Sequence, residues 1–203
     1  NLAEVVAVFA SSLLSFTILE PPHLLWLNLI TDCFPALAMG MEEAEPGIMR
    51  RAPRDESDGI FSNGLGLDVV VQGLVIAGLT MASYFVGLNM AGINFADVQA
   101  GLVDGREGMT MAFLTLSMVE MFHSFNMRSR RQSVFSLPTQ NKWLWLSFIA
   151  SLLLTYIVIE TDALSAAFGF VEISMTEYGV AMGLAFSIIP IMEIYKAICR
   201  SVE

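Results

Sequence analysis

The feature that most constrains this chain is a succession of long apolar runs, each close to the length needed to cross a bilayer. A helix that spans the hydrocarbon core needs about 20 mostly apolar residues. Six runs meet that need, at 1–19, 24–41, 67–90, 107–127, 142–160 and 178–200. They are continuous rather than alternating, so they read as helices and not as the roughly ten-residue strands of a membrane barrel. The expectation is an all-α polytopic membrane bundle of six transmembrane helices, with the lipid bilayer as its first partner. Composition agrees: 55% of the 203 residues are hydrophobic and 15% are charged, where a soluble domain sits near a quarter charged. The formal net charge of −10 argues against a nucleic-acid partner. Two cysteines make neither a disulfide framework nor a zinc spacing. The chain opens at Asn1 directly inside an apolar run, which reads as a piece of something longer with no targeting peptide to exclude.

The connectors between runs differ in charge. The loop 42–66 carries Arg50, Arg51 and Arg54; the segment 128–141 carries Arg128, Arg130 and Arg131, with Lys142 at the next helix start; the C-terminal end carries Lys196 and Arg200. Of the ten Lys and Arg residues, only Arg106 falls in the opposite connectors, 20–23, 91–106 and 161–177. Positive charge marks the cytoplasmic side, so loops 42–66 and 128–141 and the C-terminus are expected there. Trp26, Trp143, Trp145, Tyr178 and Tyr195 lie near span ends, where amphipathic rings prefer to sit. Gly179 and Gly183, and Ala36 and Gly40, have the small-xxx-small spacing that lets helices approach closely.

Carboxylates inside the runs are the residues that ask for a function. Glu4, Asp32 and Glu120 each sit within a predicted span. A charge at a helix centre costs about 2.5–3.5 kcal/mol on the insertion scale, and no Lys or Arg lies at the same depth. A bound cation, protonation or a water-filled cavity must compensate. Asn1 and Glu4 are spaced i, i+3, and Asn28, Thr31 and Asp32 are spaced i, i+3, i+4, so each set shares a helix face. Hard cations such as calcium take six to eight oxygens from carboxylates, amides, hydroxyls and carbonyls. Pro35 lacks an N–H, which deprives the Thr31 carbonyl of its usual helix donor; such a carbonyl is tolerated at membrane depth where it lines a cavity or binds an ion. Interhelical hydrogen bonds around a protonated acid are the competing explanation. Glu120 and His123, spaced i, i+3, read either as a polar pair fastening two helices or as a cation and proton site. Cys33, a soft thiol, reads as packing. Asp68, Glu160 and Glu193 sit at span ends and read as solvated, with Glu193 within reach of Lys196.

These residues carry a resemblance. The segment Asn1-Leu2-Ala3-Glu4-Val5 resembles the fifth membrane helix of P-type ATPases of the calcium-transporting, sarco/endoplasmic-reticulum-like type. Leu25 to Asp32, followed by Pro35, Ala36 and Gly40, is similar to their sixth helix, and Ile48 to Arg54 to the cytoplasmic loop after it. Met111-Ala112-Phe113 through Glu120-Met121 resembles the eighth. The resemblance implies that residues 1–203 are the family's fifth to tenth helices, a C-terminal cation-transporting transmembrane domain with the loop 42–66 inside it. It implies Asn1, Glu4, Asn28, Thr31, Asp32 and Glu120 as cation ligands, Ca2+ as the transported ion, and two ions per cycle. Cys33-Phe34, His123 and the single proline of Arg51-Ala52-Pro53 depart from the family's usual pattern. The phosphorylated Asp-Lys-Thr-Gly motif is absent, so no catalytic residue is assigned; ATP and Mg2+ belong to a parent pump. Its remaining N-terminal helices and cytoplasmic domains are the implied partners, and a bacterial plasma membrane the implied location. The alternatives are a pump for another cation (Mn2+, Na+ or H+) and a non-enzymatic membrane scaffold or accessory subunit.

Overall fold

Every described secondary-structure element is helical. The computed structural model describes residues 1–43, 49, 53, 59, 61, 64–130, 132–137 and 140–202. Arg50, Arg51, Arg54 and Arg131, on which much of the charge asymmetry rests, lie outside the described residues, as does most of the loop 42–66.

Among the described residues ten α-helices follow one another: α1 (Leu2–Leu13), α2 (Pro21–Trp26), α3 (Cys33–Met39), α4 (Leu65–Met90), α5 (Phe95–Gln99), α6 (Arg106–Met127), α7 (Lys142–Glu160), α8 (Asp162–Phe168), α9 (Met175–Phe186) and α10 (Ile188–Val202). Of the described residues, three stretches are long and apolar enough to cross a membrane: Leu65–Met90, Lys142–Glu160 and Met175–Ser201. The last is α9 and α10 with a break at Ser187. The other three predicted runs take different forms. The first ends early as α1, because Ser15 turns into the left-handed region at φ 57°. Phe16 beyond it is held in an aromatic cluster with Tyr84, Phe85 and Phe95, at ring separations of 4.6, 5.8 and 5.2 Å. Burying that ring outweighs one more turn of helix. The second run is α2 and α3 joined by a π-helical turn, Leu27–Asp32. The fourth is α6, which carries Arg106, Glu107 and Glu120 and sits at the centre of the bundle, its residues from Gly108 to Val119 all buried.

Local chemistry sets the helix starts. Pro21 and Pro22 occupy the first turn of α2, where a missing N–H costs nothing. The Asn141 side chain accepts from the N–H groups of Trp143 and Leu144 at 3.0 and 3.1 Å, capping α7. Ser174 and Glu177 form a reciprocal capping box at α9.

The close approach of helices falls elsewhere than the small-residue spacing suggested. Gly179 and Gly183 are exposed, with no atom within 4 Å of where a Cβ would sit; Ala181 and Ala185 are the buried small pair of α9. The tight crossing is between α4 and α6. A Cβ on Gly108 would lie 2.8 Å from the Tyr84 carbonyl oxygen, and one on Gly87 3.0 Å from the Glu107 carbonyl oxygen. Asp68, expected to be solvated, is buried, accepting from Tyr195 Oη at 2.7 Å and from Arg130 Nε at 2.5 Å. Lys196 donates to the carbonyls of Asn126 and Gln132, at 2.7 and 3.1 Å. Glu193 instead accepts the Val134 N–H at 2.9 Å. Cys33 is exposed rather than packed, its thiol 3.3 Å from the Asn28 carbonyl oxygen.

Candidate cation site

The π-helical turn is where the sequence placed its densest set of oxygen donors. Widening the turn over Leu27–Asp32 spreads Asn28, Thr31 and Asp32 around the helix more than an α-helix would. Asn28 faces α1: it accepts from the Asn1 side-chain amide and donates to Glu4 Oε2 at 3.2 Å and to the Leu24 carbonyl at 2.7 Å. Thr31, fully buried, faces α6, with its hydroxyl 2.7 Å from Glu120 Oε2 and 2.8 Å from the Leu27 carbonyl. Asp32 lies between them, accepts from the Asn1 side chain, and is close enough to Glu4 and to Glu120 for their charges to repel.

The six predicted donors therefore gather into two linked groups. Asn1, Glu4 and Asn28 join α1 to the π turn. Thr31 and Glu120 join the π turn to α6, and Asp32 stands at their junction. None of the three carboxylates pairs with a Lys or Arg among the described ion pairs. Glu4 is buried, and its Oε1 has no hydrogen-bond partner. A buried acceptor left bare costs about 1–3 kcal/mol, so this oxygen is available to a ligand. Among the described residues no group of three or more His, Cys, Asp and Glu side chains stands close enough to hold a metal ion; amide and hydroxyl oxygens make up the rest of the donor set.

A cavity of about 460 Å³ opens beside these groups, lined by Asn1, Thr31, Asp32 and Glu120 with Gln72 and His123. His123 does not pair with Glu120: its Nε2 lies 3.2 Å from Gln72 Oε1. Gln72 was not among the expected site residues. Its signal was present, as an amide in the apolar first half of α4, but only the fold shows that it faces the cavity.

Comparison with known proteins assigns the family. Residues 16–198 match the family described as "Cation transporting ATPase, C-terminus". The chain belongs to this family. Within the matched segment lie Asn28, Thr31, Asp32 and Glu120; Asn1 and Glu4 precede it. "Calcium-transporting ATPase 1" of Bacillus cereus is 33% identical over 95% of this chain and 22% of its own length. "Calcium-transporting ATPase" of Bacillus subtilis is 33% identical over 91% of this chain and 20% of its own length. "Calcium-transporting ATPase 3, endoplasmic reticulum-type" of Arabidopsis thaliana is 26% identical over 99% of this chain. The chain thus spans about a fifth of the length of these curated relatives. As a cation-transporting ATPase C-terminal region it is an integral membrane protein.

Proposed function

We propose that this chain is the cation-binding, membrane-crossing part of a P-type pump that transports Ca2+, driven by ATP hydrolysis in domains outside the chain. The observation that carries the reading is the gathering of Glu4, Asp32 and Glu120 with three neutral oxygen donors, with Asn1, Thr31, Asp32 and Glu120 lining a cavity and no Lys or Arg paired to the three acids among the described ion pairs. Hard oxygens in that number suit calcium, and the relatives named above are called calcium-transporting ATPases. The donors are shared between two cation positions. One draws on Glu4 and Asn28, the other on Asn1, Thr31 and Glu120, with Asp32 and Glu4 bridging them. In this reading the α2–π–α3 run, α1 and α6 complete six crossings with the three long apolar stretches. The basic connectors 42–66 and 128–141 and the C-terminus are cytoplasmic, and the membrane is a bacterial plasma membrane. The partners are the pump's own N-terminal helices and cytoplasmic domains, which bind ATP and Mg2+.

The test is Asp32→Asn in the full-length protein. Removing the junction carboxylate takes one charged ligand from both positions at once. Calcium-dependent phosphorylation by ATP should collapse, while phosphorylation that needs no calcium survives. Unchanged calcium dependence would reject the assignment.

A further inference from the structure

The connector that starts α2 is built around a histidine that the calcium reading leaves unused. His23 is fully buried. Its Nε2 lies 2.6 Å from the Phe168 carbonyl oxygen at the end of α8, and its Nδ1 accepts the Glu20 N–H at 3.0 Å. A carbonyl only accepts and an N–H only donates, so the ring fits here with its proton on Nε2 and none on Nδ1. A second proton, on Nδ1, would meet the Glu20 N–H donor to donor. The Glu20 carboxylate in turn accepts the His23 N–H, which closes a capping box over the first turn of α2. Phe113 of α6, Phe168 of α8 and Phe170 of the connector beyond wall the ring, at separations of 5.5, 6.1 and 4.6 Å. None of these titrates. Arg106 on α6, Asp162 on α8 and Glu172 after it are exposed, and Glu107 is half-buried; the charge that acts on the ring is the Glu20 carboxylate. Glu20 also lines a cavity of about 380 Å³ with Asp104 and Arg106, which brings solvent to this connector.

The same first turn of α2 anchors the candidate cation site. The Asn28 amide donates to the Leu24 carbonyl at 2.7 Å and to Glu4 Oε2 at 3.2 Å, and the Leu24 N–H donates to the Glu20 carbonyl at 3.3 Å. His23 therefore fastens the turn whose next residue orients Asn28. We infer that His23 is an acid-sensitive latch: a proton taken from solvent onto Nδ1 breaks the bond from the Glu20 N–H, passes the ring to the Glu20 carboxylate, opens the capping box and, through Leu24 and Asn28, weakens cation binding. Glu20 is the element with two arrangements, its main-chain N–H holding the neutral ring and its carboxylate the charged one. The inference rests on the calcium reading and adds a control to it. In that reading's orientation the latch is on the face opposite the basic connectors, so acid on that face favours release.

The test follows the full-length protein in detergent by amide hydrogen exchange, corrected for its intrinsic pH dependence, and by equilibrium Ca2+ binding. Both are measured at about pH 7.5 and about pH 5, on either side of the ordinary imidazole value. In the unsubstituted protein acid should speed the exchange of α2 amides and leave those of α7 unchanged. His23→Gln, whose amide donates and accepts but does not titrate, should remove that acceleration. Ca2+ affinity should match between the two proteins at the higher pH and be about fivefold weaker in the unsubstituted one at the lower; comparing the two at one pH cancels protons that compete directly at the carboxylates. No acid-induced opening of α2 in the unsubstituted protein overturns the latch, whatever the variant does. Opening that persists in His23→Gln belongs to another group and also overturns it. Opening with equal Ca2+ affinity in both proteins overturns the link to the site while the calcium reading stands. No Ca2+ binding at either pH, with α2 opening as expected, overturns the calcium reading and the coupling built on it.

Discussion

His23 shows how completely a single buried side chain can be committed to one protonation state. It is fully buried between two connectors, with Nδ1 accepting the Glu20 N–H at 3.0 Å and Nε2 2.6 Å from the Phe168 carbonyl. Its ring stacks on Phe170 at 4.6 Å. A carbonyl only accepts, so Nε2 carries the proton and Nδ1 must stay bare to receive Glu20. Burial pushes the imidazole below its ordinary value of 6.5, against the opposing pull of the Phe168 carbonyl and the Glu20 carboxylate. The unfolded chain therefore binds more protons than the fold in the window below 6.5, and stability rises with pH there. His23 contributes fully above pH 6.5, and its contribution is lost as pH falls through the lowered value. Thermal melting in detergent should show midpoints dropping across that window, and His23→Gln should remove that part of the slope. A variant that keeps the same slope would assign it to other groups. Nothing in the order of residues hints at this role, because a histidine beside two prolines looks like any polar connector. By contrast Glu4, Asp32 and Glu120 stood out as candidate site residues, because a carboxylate in an apolar run is conspicuous whatever the tertiary structure.

At the scale of elements, the boundaries that held were those fixed by local chemistry, and those that moved were fixed by packing. Lys142–Glu160 is a helix over the whole of the expected run, because Asn141 caps one end and apolar residues fill the rest. The first run stops at Leu13 because Phe16 finds its aromatic partners 60 or more residues away in sequence, in Tyr84, Phe85 and Phe95. No periodicity within 1–19 encodes that. The π turn is likewise invisible in spacing, since Asn28, Thr31 and Asp32 fit one face of an α-helix equally well. Its effect on the candidate site is large: it turns Asn28 toward Glu4 and Thr31 toward Glu120. The α4–α6 crossing follows the same logic. Gly40, Gly179 and Gly183 carry the small-residue signature too, yet only the fold shows which backbones touch. Gly108→Leu should push α6 off the Tyr84 carbonyl, because rigid backbone is what a Cβ would meet there. Overpacking of this kind costs about 1–3 kcal/mol. The loss should appear as a lower melting temperature, whereas Gly179→Leu, facing open space, should leave it unchanged.

Across the whole molecule the fastenings lie at the two ends and the cavity lies between them. On one end His23 ties the start of α2 to the end of α8. On the other, Glu42 beyond α3 accepts from Arg128 Nε and Nη2 at 3.0 and 2.6 Å and from the Asn141 amide at 2.6 Å. Asn141 also donates to the Ala38 carbonyl at 2.8 Å and caps α7, so the ends of α3, α6 and α7 share one polar knot. Burial alone would push the Glu42 carboxyl up, but the Arg128 and Asn141 hydrogen bonds and the Arg128 charge outweigh it and hold Glu42 below the usual range. The Arg128 side chain is only 2% exposed and that of Glu42 18%. A pair this enclosed is weak evidence of net stabilisation, because desolvation offsets most of the attraction. Breaking it is another matter: one partner removed leaves a charge buried without its mate, at roughly 3–5 kcal/mol. Arg128→Met alone should therefore melt at a lower temperature than the double variant Arg128→Met with Glu42→Gln, which removes both charges. Equal melting of the two would mean that the knot holds through Asn141, and that the charges of Glu42 and Arg128 are incidental to how α3, the helix leading from the candidate cation site, is anchored.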